Sequence, residues 1–252
     1  MTSRAVLTGT VEGRRVLSTH LVRLEIACPG FVTTGVPDEW VALTVPGQYQ
    51  TRYYTVVSAA GDHIVLDVVL HSEGLVTEWA RTRCVGETVG IGAPKGSFTP
   101  AVDAAWVVLV GDLTALPAVG RIASSTGLPL TAYVEAAGGP VPAYSGLPAT
   151  WLQQATPTES GLAALVRGLT WPDEPGYFWM AGESAQMRDI RRHLRHDLHW
   201  DSSRYDVMGY WSGSRGRARR SVDPGPIYRR GKAAGLSDEQ IWDEYDAARE
   251  ER

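Results

Sequence analysis

Cysteine and lysine are both nearly missing from this 252-residue chain, each occurring twice. Cys28 and Cys84 lack CxxC spacing, so they supply neither a disulfide framework nor a thiolate metal site by themselves. A reduced, cytoplasmic protein is expected. Lys95 and Lys232 are the only lysines, so positive charge is almost wholly arginine, and the formal net charge is −4. That balance excludes a general nucleic-acid or membrane-surface binder while leaving room for a local basic pocket. No run approaches the ~18 apolar residues of a membrane span, and the N-terminus has no apolar export region. GxSxG, HExxH, the P-loop and a Cys-His pair in nucleophile context are absent too, which leaves hydrolase chemistry without its parts. His193, His196 and His199 follow one another at i, i+3 and i+6, which spreads them around a helix, so no metal site is expected.

What is present suits a globular chain, with 44% hydrophobic and 21% charged residues and a length for one large domain or two ordinary ones. From residue 4 to about 100, short β-branched and aromatic runs alternate with Gly, Pro and Asp: "RAVLTGTVEGRRVL", "HLVRLEIAC", "WVALTV", "QTRYYTVVSA", "HIVLDVVLH" and "ETVGIGA". That rhythm predicts an antiparallel barrel or sandwich, interrupted by one helix at "GLVTEWARTRC". From residue 104 the pattern becomes strand, helix, strand: "AWVVLVGD", "TALPAVGRIASST", "LPLTAYVEA", "GYFWMAG", a helix over 184–200 and a last strand "SRYDVMGYW". Strand alternating with helix predicts a parallel α/β sheet. The expected domains are 1–102, 103–213, and a tail over 214–252 in which a basic connector precedes an acidic helix capped at Ser237 and Gln240.

Strand alternation places Arg52 and Tyr54 on one face and Tyr53 and Thr55 on the other. A guanidinium fork suits a diphosphate, an aromatic ring suits a flat heterocycle, and a threonine hydroxyl suits its hydrogen-bonding edge. The same residue types also favour any strand, so the stretch alone is compatible with plain structure. His71, Gly74 and Thr77 then bring a strand end to a helix start, where free N–H groups favour phosphate. "VVLVGDLTALPAV" is a strand, turn and helix of the kind that binds a nucleotide, without GxGxxG. Glu135, 24 residues beyond Gly111, suits an adenosine ribose. Gly182 and Glu183 repeat the design after a third strand, small enough there to admit a nicotinamide.

Taken in order, "RYYT" (52–55), "LDVVLH", "GLVTEWA", "IGAPKGSF", "GDLTALPAV", "WMAGES" and "GYW" (209–211) resemble the siderophore-interacting protein family, flavin-dependent ferric-siderophore reductases of the ferredoxin-NADP reductase-like superfamily. The resemblance covers residues 4–213 and implies a FAD-binding barrel followed by a NAD(P)H-binding α/β domain. It implies hydride transfer from NADH or NADPH to FAD and then single-electron reduction of Fe(III) in a ferric siderophore or another small-molecule acceptor. Arg52, Tyr54, Thr55, His71, Gly74, Thr77, Trp79, Asp112, Thr114, Glu135, Gly182 and Glu183 are the implied cofactor contacts, with Lys95 and Arg81 facing the acceptor. The family's motifs often read R-x-Y-T-x-R and GDET; this chain has Val57 and Leu113 there, and it lacks a Gly-Pro before "LVTEW". Those departures keep open an organic substrate in secondary metabolism or a non-enzymatic siderophore-binding protein. No nucleic-acid or membrane partner is expected, and a monomer or weak dimer is.

Overall fold

The computed structural model describes residues 6–48, 51–71, 74–82, 84–154, 160–212, 230 and 234. Two compact units divide the chain, Met1–Ser212 and Gly213–Arg252. In the second, the Ala234 N–H donates to the Arg230 carbonyl at 3.0 Å, closing one helical turn; the expected cap at Ser237 lies outside the described residues.

Six strands of the first unit close into an antiparallel barrel: β1 (Leu7–Ser18), β2 (Leu21–Ala27), β3 (Trp40–Thr44), β4 (Arg52–Ala60), β5 (His63–Val69) and β6 (Thr88–Ile91). Their order is β1-β2-β5-β4-β3-β6, and β6 returns to pair with β1. α1 (Leu75–Thr82) connects β5 to β6. The inward residues alternate as the pleat requires, so Leu24, Ile26, Val41, Leu43, Ile64, Leu66 and Val68 form a dry core. Both cysteines are buried in that core as free thiols.

The chain continues into β7 (Val107–Asp112), α2 (Leu116–Ser125), β8 (Leu130–Ala136), β9 (Ala149–Gln153), α3 (Leu162–Arg167), β10 (Tyr177–Glu183), α4 (Ser184–Arg192) and β11 (Tyr205–Trp211). The five strands pair in parallel in the order β11-β10-β7-β8-β9. β7 and β10 are buried on both faces: Leu109 and Trp179 face the cluster that holds α2, and Val110 and Met180 face the one that holds α3 and α4. Such near-continuous apolar strands are what a covered parallel sheet demands.

Barrel and sheet are joined by buried carboxylates. Asp67 of β5 accepts both arms of Arg23, its cross-strand neighbour on β2, at 2.7 and 2.8 Å. The Tyr144 hydroxyl, from the segment between β8 and β9, donates to the same carboxylate at 2.6 Å. Asp38, fully buried just before β3, accepts from the Ser97 N–H (2.8 Å) and hydroxyl (2.7 Å), the Phe98 N–H (2.9 Å) and the Trp179 indole (3.2 Å). Its neighbour Glu39 accepts from Thr33 and Thr34 and lies 3.9 Å from Arg121 of α2. Each carboxylate is hydrogen-bonded, which makes its burial tolerable.

Three details differ from the sequence expectation. β9 and α3 were not anticipated: β9 is a half-exposed edge strand paired only with β8, and its "ATWLQ" shows little alternation. α3 is six residues long, too short for a clear period. The helix expected over 184–200 is α-helical only to Arg192 and then widens into a π-turn over His193–Asp197, where the Leu198 N–H reaches the His193 carbonyl at 3.1 Å.

Candidate functional site

On β4 the register sets Arg52 opposite Leu43, Tyr53 opposite Ala42, Tyr54 opposite Val41 and Thr55 opposite Trp40. Directly opposed residues share a face, so Arg52 and Tyr54 lie with the core residues and Tyr53 and Thr55 lie on the other side. Arg52 is exposed at the start of the strand, and Tyr54 is half-buried against the barrel core. Burial pushes the Tyr54 phenol up to about 12, with nearby Arg52 pulling slightly the other way. Thr55 is only 4% exposed, and its hydroxyl meets no partner in hydrogen-bond geometry among the described residues. The Tyr210 hydroxyl of β11 is in the same condition. The two hydroxyls are near enough to interact weakly, but burial dominates and drives the Tyr210 phenol far upward.

After β5 the chain turns at His71. The Thr77 hydroxyl, buried in α1, accepts the His71 N–H at 3.2 Å, and Arg81 donates to the His71 carbonyl at 2.9 Å. Thr77 and Arg81 therefore brace this turn. Gly74 opens α1 at φ +131, a conformation that a side chain would strain, and its carbonyl accepts the Glu78 N–H at 3.0 Å. Trp79 is half-buried, with its indole N–H enclosed and unpartnered among the described residues. The His71 ring stands 6.2 Å from that of Trp211, and desolvation depresses its pKa.

The carboxyl ends of β7 and β10 meet where the strand order reverses, which is where open α/β sheets hold ligands. Asp112 ends β7, 5% exposed. Its carboxylate accepts from the Thr114 N–H (2.8 Å) and hydroxyl (2.5 Å) and from the Trp211 indole (2.6 Å). Burial raises its pKa, and these bonds oppose the rise. A Cβ on Gly182 would stand 2.8 Å from an Asp112 carboxylate oxygen, so only glycine fits beside it. Glu183 caps α4 through the Ala185 and Gln186 N–H groups at 2.8 and 3.0 Å. Glu135 ends β8 almost fully buried. One carboxylate oxygen accepts the Gly161 N–H at 2.7 Å, and the other has no partner among the described residues.

Asp112, Thr114 and Gly182 thus form one cluster, and Trp211 carries it toward His71 of the barrel. Thr55 meets the sheet through Tyr210. Lys95 is exposed, its backbone paired with Trp40. Where the family often carries a second arginine, Val57 lies in a bulge between Val56 and Ser58. A guanidinium arrives there from α2 instead: Arg121 donates to the Val56 carbonyl at 2.6 Å. Sequence reading missed Asp38, Glu39, Arg121, Tyr144 and Tyr210. The donors to Asp38 and Glu39 include groups far along the chain, which leave no local signal at "PDEW".

Comparison with known proteins agrees with this geometry. Residues 29–98 match the profile described as siderophore-interacting FAD-binding domain, and residues 104–214 match that of siderophore-interacting protein. The mycobactin import ATP-binding/permease protein IrtA of Mycobacterium tuberculosis is 26% identical over an alignment of 239 residues that covers 86% of this chain and 27% of that relative, so the chain spans about a quarter of its length. The siderophore-interacting protein of Acinetobacter baumannii superposes with a TM-score of 0.72 at 20% identity, covering 93% of this chain and 97% of that one. A ferredoxin reductase in carbazole 1,9a-dioxygenase gives 0.63 at 13% identity, covering 82% and 70%. With both its barrel and its sheet matched, the chain belongs to the siderophore-interacting protein family and carries that family's FAD-binding domain on a ferredoxin reductase-like fold.

Proposed function

We propose that the protein is a FAD-dependent NAD(P)H oxidoreductase that reduces the iron of a ferric siderophore. The observation that carries this reading is the Thr55 hydroxyl, buried with only a weak contact to the Tyr210 hydroxyl, one residue from Tyr54 and three from Arg52. A buried hydroxyl so weakly satisfied is costly unless a ligand completes it. The buried Trp79 indole N–H raises the same demand. Both fit a heterocycle with hydrogen-bonding edges. When bound, FAD supplies an acceptor for the hydride of NAD(P)H and a donor of single electrons to Fe(III).

The residues divide that work. Arg52 offers a forked cation to the diphosphate, Tyr54 an aromatic face, and Thr55 and Trp79 one donor each. Gly74 and the start of α1 leave backbone N–H groups for phosphate, on a turn braced by His71, Thr77 and Arg81. In the sheet, Asp112 and Thr114 shape the crevice floor, Gly182 admits the nicotinamide, and Glu183 fixes the start of α4 behind it. The unpartnered Glu135 oxygen suits a ribose hydroxyl and would repel a 2′-phosphate, which favours NADH. In this reading residues 1–102 hold the flavin, 103–213 hold the nicotinamide nucleotide, and 214–252 follow as an appendage. Lys95 and Arg81 add positive charge on the acceptor side. Reduction releases the metal because hard oxygen ligands hold Fe(III) far more tightly than the larger, less acidic Fe(II).

The visible spectrum of the purified protein, recorded anaerobically before and after NADH or NADPH, tests cofactor and reaction together. A flavin spectrum that bleaches, and returns when a ferric siderophore is added with a ferrous trap colouring, is the expected result. Colourless protein that gains no flavin on adding FAD would overturn the reading, and bleaching without ferrous iron would move the substrate to an organic acceptor.

A further inference from the structure

The strand that carries Thr55 is gripped by the α/β half one residue further on. In β4 the register with β5 steps from Val56 opposite Leu66 to Ser58 opposite Val65, so Val57 is an extra residue and the ladder is interrupted beside Val56. Val56 is fully buried. Its N–H donates to the Glu39 carbonyl at 2.8 Å, and its own carbonyl accepts from Nη1 of Arg121 at 2.6 Å. The same nitrogen lies 3.9 Å from the Glu39 carboxylate, whose hydrogen bonds, from Thr33 and Thr34, come from neutral groups. Arg121, Val56 and Glu39 close a triangle that fixes the residue after Thr55 through both of its backbone groups.

Arg121 comes from α2, so the grip spans the two halves. α2 has little freedom of its own. Its first turn sits on the end of β7, where a Cβ on Gly111 would come within 2.5 Å of the Ala115 methyl group and the Ala115 N–H donates to the Asp112 carbonyl at 3.0 Å. Leu116, Ala118, Val119 and Ile122 bury one face of the helix. Arg121 lies ~7.5 Å along the axis from Leu116 and is half-buried. Partial burial removes competing water and so strengthens a hydrogen bond from a charged donor. Desolvation lowers the Arg121 pKa, and the Glu39 and Asp38 carboxylates oppose that fall. The guanidinium is therefore a charged prop on an anchored helix.

We propose that Arg121 is a positioning residue for the flavin: held on the α/β half, its guanidinium fixes the bulged end of β4 and so sets where the Thr55 hydroxyl stands against the flavin edge. The proposal rests on the reading of Thr55 as a flavin contact, and it adds the residue that places that contact. Thr55 lies opposite Trp40 and directly precedes the gripped residue, so a shift of Val56 moves its hydroxyl. A hydrogen bond weakens steeply once its distance and angle depart from the preferred range, which makes that placement matter. Arg121 acts through Val56 and Glu39, without itself reaching Thr55 in hydrogen-bond geometry.

Titration of the flavin-free full-length protein with FAD, with no NAD(P)H, tests this in a double-variant cycle. Thr55→Val and Arg121→Met are each expected to weaken FAD about fivefold, and the two together no more than about twofold beyond either, because both remove the same contact. Tyr144→Phe loosens the barrel's link to the α/β half through Asp67 instead, and it is expected to leave FAD affinity unchanged. Losses that multiply to about twenty-fivefold, unchanged FAD binding in Arg121→Met, or an equal loss in Tyr144→Phe would overturn the proposal. Arg121→Met also leaves the buried Glu39 carboxylate without its cation. The cycle is therefore repeated in Glu39→Gln, where that charge is gone and the same non-additivity is expected, and urea titration of each variant separates altered binding from altered folding. Unchanged binding in Thr55→Val would remove the flavin reading of Thr55 and this proposal together, whereas loss in Thr55→Val with an additive Arg121→Met removes the proposal alone. Since the nucleotide is absent, failure to bleach leaves this result readable.

Discussion

The buried Thr55 hydroxyl has only a weak contact with the Tyr210 hydroxyl, so it bears part of the ~1–3 kcal/mol that an unsatisfied buried group costs. Thr55→Val removes the hydroxyl at nearly constant volume, so the flavin-free protein is expected to be as stable as the parent or up to ~1–2 kcal/mol more so, while FAD affinity falls by about 1 kcal/mol. Denaturation of the flavin-free protein and FAD titration should therefore move in opposite senses; a parallel loss would make Thr55 purely structural. Arg52→Ala is expected to weaken FAD by ~1.5–3 kcal/mol through lost charged hydrogen bonds, and unchanged binding would remove Arg52 from the site. Asp112 gives a pH signature. Burial raises its pKa above the ordinary value of about 3.9, against the opposing pull of its three hydrogen bonds, so the folded chain releases that proton at higher pH than the unfolded chain does. Its contribution is full in acid and is lost as pH rises through the folded value. As pH rises above the ordinary carboxylate range, the parent should lose stability that Asp112→Asn does not lose, and the difference between their denaturation midpoints should therefore narrow from acid to neutral pH.

At the scale of elements, the sequence announced what repeats and hid what is held by partners. The barrel strands and β7, β8, β10 and β11 could be read from alternation and from continuous apolar runs, because each faces a core on a fixed period. β9 could not, since an edge strand with one neighbour needs little hydrophobic pattern. The site shows the same division. "RYYT" and "GDLT" are local, and their order along the chain carried the family resemblance. Tyr210 and Arg121 come to the barrel from β11 and α2, so no spacing foretold them. The link between the barrel and the β8–β9 segment can be measured. Tyr144→Phe deletes one donor and leaves Arg23 on Asp67, for an expected cost of about 1 kcal/mol. Arg23→Ala leaves the buried carboxylate without its counter-charge, for about 3–5 kcal/mol. Urea denaturation of both and of the double variant should show non-additivity, since the two donors share one acceptor.

Across the first unit, the Asp38 and Asp67 carboxylates make bonds that reach from the barrel to the α/β half, where the proposed hydride transfer needs the two to meet. Asp38→Asn keeps the shape but turns one acceptor oxygen into a donor that faces other donors. A loss of about 2–4 kcal/mol is expected, with the barrel–sheet angle and therefore NAD(P)H turnover suffering together; scattering and steady-state kinetics on one preparation would show whether they do. Asp38 also bears on synthesis. A ribosome releases Asp38 early, its Ser97 and Phe98 donors some sixty residues later, and the Trp179 indole 141 residues later. Until that indole emerges, the nascent barrel keeps an incompletely satisfied anion at the surface the sheet will cover, so water has reason to stay there. A barrel that folds before the sheet exists would thus expose a carboxylate that favours water over another chain at its future seam.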